Sequence, residues 1–207
     1  DVDFTKRTFG IDDAVRDIRV LFSEDFIHWS RPEHLKYNEG IEDYPLYTNC
    51  VTPYPGAEHI LVGFPTRYVE RPAWTANFDR LCGAQKRRER CMVHKRYGLT
   101  TTDCLFMCSR DGLNWYRYDE AYMRPGPEYP ANWVYGSCYP SVGLISTASD
   151  IPGADDEWSF YTYDNHWLSL PAVSVRYTIR KDGFASLHAD REEKTIVTKP
   201  FIFEGSM

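Results

Sequence analysis

Four carboxylates stand out by their surroundings: Asp43 in GIEDYP, Asp103 in TTDCLF, Glu120 in DEAYMRPG and Asp164 in YTYDNHW. Two carboxyl groups placed across a glycosidic bond can hydrolyse it. One, with a raised pKa, protonates the leaving oxygen; the other activates water or attacks the sugar. Glu120 is the first choice for the acid, because Ala121, Tyr122 and Met123 follow it and could strip its water. Asp43 or Asp164 would then be the base or nucleophile. Arg67 and Arg124 could grip a sugar hydroxyl or carboxylate, or equally pair with a nearby acid. Tyr47, Asn49, Tyr135, His166, Trp167 and Trp133 add polar groups and flat apolar faces. A pyranose could stack on such rings, and such rings also fill the space between sheets. His166 stands alone, as structural histidines often do.

Other chemistries lack their residues. There is no Gly-rich phosphate loop, no G-x-S-x-G and no H-E-x-x-H. The cysteines, Cys50, Cys82, Cys91, Cys104, Cys108 and Cys138, follow no zinc spacing. They read as reduced thiols of a cytoplasmic protein, with a Cys82–Cys91 bridge left open. No cofactor is implied. A net charge of −6 over 207 residues argues against nucleic acid as a partner. No apolar run is long enough to span a membrane, and the first residues do not form a signal peptide. The one basic run, Lys86, Arg87, Arg88, Arg90, Lys95 and Arg96, reads as a solvated insertion or as an anion-contacting lid.

The elements that must position these residues show as internal repeats. DIRVLFSEDFIHW (Asp17 to Trp29) matches DCLFMCSRDGLNW (Asp103 to Trp115) at a spacing of 86. VRYTIRKDGFASL (Val175 to Leu187) is a weaker copy. The Asp and Gly suit a tight turn between two antiparallel strands, with the Asp bonding nearby backbone N–H groups. Asp25, Asp111 and Asp182 therefore serve turns. LYTNCVTPYP (Leu46 to Pro55) aligns with VYGSCYPSVG (Val134 to Gly143) on Cys50 and Cys138, and an aromatic β-rich run follows each. One unit is thus an inner strand, an aromatic strand and a hairpin. The expected fold is all-β: a β-propeller of four-stranded antiparallel blades. Residues 15–37 supply a hairpin of a preceding blade, 46–119 one blade with a basic insertion at 69–100, and 134–203 the next. About two and a half blades cannot close a ring. Missing blades or a second chain are expected to complete it.

The S-x-D-x-x-x-W hairpins and the acidic, aromatic rim resemble the five-bladed propeller glycoside hydrolases of the arabinanase-like and invertase-like group. LYTNCVTPYP, GFPTRYVER, TDCLFMCSRDGLNW, EAYMRPG and VRYTIRKDGF are more closely similar to an uncharacterised bacterial family of glycosidase-like propeller proteins, over most of the chain. The resemblance implies a carbohydrate substrate and carboxylates gathered at one mouth of the channel. Positions readable as that mouth are Asp43, Arg67, Asp103, Glu120, Arg124, Asn132, Trp133, Asp164, His166 and Trp167. Asp103 has a rival role, since Asp17 occupies the same place in the other repeat and a residue recurring per blade usually serves the blade. The alternative function is a non-catalytic carbohydrate-binding or structural propeller fragment, in which the acids only pair with Arg67 and Arg124.

Overall fold

A computed structural model describes residues 16–130, 132–165, 171–198, 200 and 202. His166 and Trp167 lie outside the described residues. The chain is mostly sheet. Its strands are β1 (Arg19–Val20), β2 (Glu33–His34), β3 (Lys36–Tyr37), β4 (Leu46–Tyr47), β5 (Thr52–Tyr54), β6 (Ala57–Gly63), β7 (Thr66–Val69), β8 (Thr101–Cys104), β9 (Met107–Ser109), β10 (Asn114–Arg117), β11 (Tyr139–Pro140), β12 (Ile145–Thr147), β13 (Glu157–Asp164) and β14 (Val173–Arg180). Two helices, α1 (Ala84–Val93) and α2 (Lys95–Leu99), lie between β7 and β8. No helix among the described residues is long and apolar enough to cross a membrane.

The central unit is one bent antiparallel meander. β5, β6, β9 and β10 pair in that order, and β3 adds to β10 in parallel. β4, β7 and β8 continue the same three strands as a second sheet. The bend has a local cause. Thr48 and Cys50, between β4 and β5, both take left-handed backbone, at φ 49° and 45°, where L-residues are rare. The second unit repeats this at the aligned positions, with Gly136 at φ 100° and Cys138 at φ 56°. There β11 and β12 share one edge of β13, and β14 pairs along its whole other edge. A fourth strand, expected before residue 203, does not form among the described residues. HADREEK (residues 188–194) offers no alternation of apolar and polar side chains to bury.

The hairpin turns repeat in atomic detail. Ser109 Oγ accepts the Gly112 N–H at 3.0 Å, and Asp111 Oδ1 accepts those of Leu113 and Asn114 at 2.9 and 2.7 Å. Ser23 Oγ accepts the Phe26 N–H at 2.8 Å, and Asp25 Oδ1 those of Ile27 and His28 at 2.8 and 2.7 Å. The tryptophan indoles close both turns, Trp115 on the Gly112 carbonyl and Trp29 on that of Phe26. Each is an Asx-type turn built from side chains two and three residues away.

Strand alternation sends neighbouring side chains to opposite faces, and two cores result. Val62, Phe64, Cys104 and Phe106 meet Cys138 and Phe160 of the second unit. Leu46, Leu105, Met107 and Trp115 meet Ile18 and Leu35 of the first hairpin. Three units, the first hairpin, the central meander and the β11–β14 sheet, therefore pack in a row, and the described residues form no closed ring. Buried threonines stitch the second and third together: Thr66 donates to the Cys138 carbonyl at 3.1 Å and Thr102 to that of Ser137 at 2.7 Å.

Candidate binding site

The sequence-derived candidates separate. Arg67 and Asp103 are register partners on β7 and β8. Arg67 Nε and Nη2 donate to both Asp103 carboxylate oxygens, at 2.9 and 2.7 Å, and Nη1 donates to the Asp119 carbonyl at 2.8 Å. Tyr44 lies against the guanidinium. Asp103 is thus consumed in a bidentate pair. On the other face of the strands are Tyr47, Tyr68, Tyr135 and Tyr139. Tyr68 Oη is 2.9 Å from Tyr139 Oη and donates to Tyr135 Oη at 3.3 Å. Tyr47 packs on Tyr68 and Tyr139, and Arg16 covers its ring. Burial, reinforced by the Tyr135 and Tyr139 hydroxyls, pushes the Tyr68 phenol far above its ordinary range.

Glu120 corrects an expectation. Its side chain is 86% exposed and pairs with Arg124, at 3.3 Å. Tyr122 and Met123 turn instead into the core with Phe64 and Phe106, so the expected desolvation of Glu120 does not occur. Asp43 is exposed in the loop before β4, and Asp164 is half-buried at the end of β13. Asn49 is exposed and accepts the Val51 N–H through its own Oδ1. All six cysteines are free thiols. Among the described residues no group of three or more His, Cys, Asp or Glu is placed to hold a metal ion.

A recess lies elsewhere. A cleft of about 730 Å³ opens between the helical insertion and the loop at 125–133, with Arg71, Thr75, Phe78, Arg87, Glu128 and Trp133 among its walls. The proline-rich loop is held by Asn132, which is 5% exposed. Its Nδ2 donates to the carbonyls of Pro125 and Pro127 at 2.6 and 2.7 Å, and its Oδ1 accepts the Tyr129 N–H at 2.9 Å. Trp133 follows in left-handed backbone, φ 52°, its indole N–H on the Gly126 carbonyl at 2.7 Å. Such a residue costs about 1–3 kcal/mol of strain and is held by its surroundings.

The opposite wall is α1, packed on α2 through Gly98. A Cβ there would run into the Arg87 carbonyl and the Cys91 thiol. The segment before α1 is stitched down by Arg88, which pairs with Asp79 and lies over Trp74. Arg87 Nη2 donates to the Trp133 carbonyl, joining both walls. Sequence reasoning found Trp133 as a stacking candidate and placed Arg87 in a basic run read as a solvated insertion or an anion-contacting lid, but missed the cleft and, in it, Arg71 and Glu128. No motif or period links residues 71–81, 87–101 and 126–133.

No known family model matches the chain, and neither the curated proteins nor the solved structures contain a significant match to it.

Proposed function

We propose that this protein is a carbohydrate-binding member of a propeller-like array, and that it binds sugar without hydrolysing it. The carrying observation is that, among the described residues, Glu128 is the one carboxylate in the cleft walls that include Trp133. Glycoside hydrolysis ordinarily needs two. Trp133 and Phe78 offer apolar surface to a pyranose, while Thr75, Asn77 and Thr101 offer hydroxyl and amide partners. The volume suits a mono- or disaccharide. Of the four acids expected to serve a glycosidase, Asp103 is paired with Arg67 and Glu120 is exposed beside Arg124.

The propeller part rests on the repeated left-handed pairs, the repeated Ser-x-Asp turns and the face-to-face packing of successive sheets. Further blades, or a second chain, would close the ring. Calorimetry with a panel of mono- and disaccharides tests the function. The expected result is saturable binding that Trp133→Ala weakens roughly tenfold or more, as loss of a stacking ring should. Release of reducing sugar that Asp164→Asn abolishes would overturn it in favour of a glycosidase.

A further inference from the structure

Arg87 is the least expected group in the cleft. It lines the wall, yet its residue is 2% exposed. Nη2 reaches the Trp133 carbonyl, while Nε and Nη1 are buried without a hydrogen-bond partner among the described residues. Burial works against its charge, and Glu128 is the main group that supports it. Glu128 already accepts the Cys82 N–H at 2.7 Å. A guanidinium keeps its proton under all ordinary conditions, so a buried one with idle donors calls for an anion. Arg71 lines the same cleft, is exposed and spends one N–H on the Val69 carbonyl. Two cations thus face one carboxylate in a protein whose net charge is −6.

We propose that the cleft selects sugars bearing an oxyanion, carboxylate or phosphate, with Arg71 receiving the group at the opening and Arg87 completing its charge balance from the wall. This rests on the carbohydrate reading for the sugar part only. A neutral sugar would leave Arg87 and Arg71 to share Glu128 as their carboxylate in the cleft. An anionic one supplies charge-assisted bonds, about twice as strong as neutral ones.

The test is titration of the full chain with glucose, glucuronate, glucose 6-phosphate and benzoate, at low and high salt. Glucuronate or glucose 6-phosphate should bind at least roughly tenfold tighter than glucose, with the advantage shrinking in salt. The two anionic sugars separate a carboxylate from a phosphate preference. Arg71→Gln, at an exposed position, and Arg87→Gln, checked for an intact thermal transition, should each reduce that advantage. Equal binding of glucose and the anionic sugars, or an advantage that survives both substitutions, overturns the proposal. Binding of benzoate alone, lost in Arg71→Gln, would uphold the anion site and overturn the carbohydrate reading. Absence of binding by all four compounds overturns both.

Discussion

Arg67 and Asp103 stand opposite each other across β7 and β8, and the guanidinium holds both carboxylate oxygens, at 2.9 and 2.7 Å. The pair is mostly buried, with side-chain exposures of 12% and 16%. Asp103→Asn should therefore destabilise the fold by about 2 kcal/mol, somewhat below the cost of breaking a fully dry pair. Glu120→Gln, at the exposed pair with Arg124, should change stability by less than about 0.5 kcal/mol. Urea denaturation of the two variants measures the contrast; equal effects would contradict the structural role of Asp103.

Acid should attack the hairpin turns. The Asn114 amide and the N–H groups of Asn114 and Leu113 hold Asp111 well below the usual carboxylate range, and the His28 and Ile27 groups do the same for Asp25. With the folded pKa depressed, the unfolded chain takes up the proton first. Stability is then complete above the unfolded value of about 3.9 and falls as pH drops below it. Asp111→Asn should flatten that acid slope in thermal melts between about pH 5 and 2. An unchanged slope would remove the turn from the explanation.

Tyr37 is one of several buried phenols through which alkali acts. Burial, with the charge of Asp17, pushes its phenol up to about 12. Here the folded pKa is raised, so the unfolded chain loses its proton first. Stability is whole below about pH 10 and declines as pH rises through about 12. Tyr37→Phe should reduce this alkaline loss. Ultraviolet titration of the folded protein should show one fewer late-ionising phenol in the variant.

Gly98 is the tightest contact of the insertion. Gly98→Ala drives a methyl into the Arg87 carbonyl and the Cys91 thiol. The expected cost is about 1–3 kcal/mol, as for other overpacked sites. It should appear as faster proteolysis within residues 84–99 and weaker sugar binding. Normal helical circular dichroism together with normal binding would count against α1 as a wall of the site.

What was legible in the sequence was what is local. Ser109, Asp111 and Trp115 make their turn within seven residues, so the same letters at Ser23, Asp25 and Trp29 predict the same bonds. Cys50 and Cys138 likewise mark one backbone bend. Burial was less legible. The apolar neighbours of Glu120 suggested desolvation, but Tyr122 and Met123 point into the core and leave the carboxylate in water. The shared mouth expected from the sequence does not assemble among the described residues, because adjacent strand positions diverge: Arg67 meets Asp103 while Tyr68 meets Tyr139. The cleft depends on an insertion and a proline-rich loop brought together only by tertiary packing.

The mirror-handed bends carry a consequence for how the chain finds its native pairing. Sliding either bent strand by one residue so that the following residue enters the bend would force β-branched Val51, or the bulky Tyr139, into the dihedral region now held by Cys50 and Cys138. A one-residue slip in either direction would exchange the oily and watery sides of the ribbon. Torsion thus rejects one direction of misalignment and solvation rejects both, before any neighbouring layer arrives.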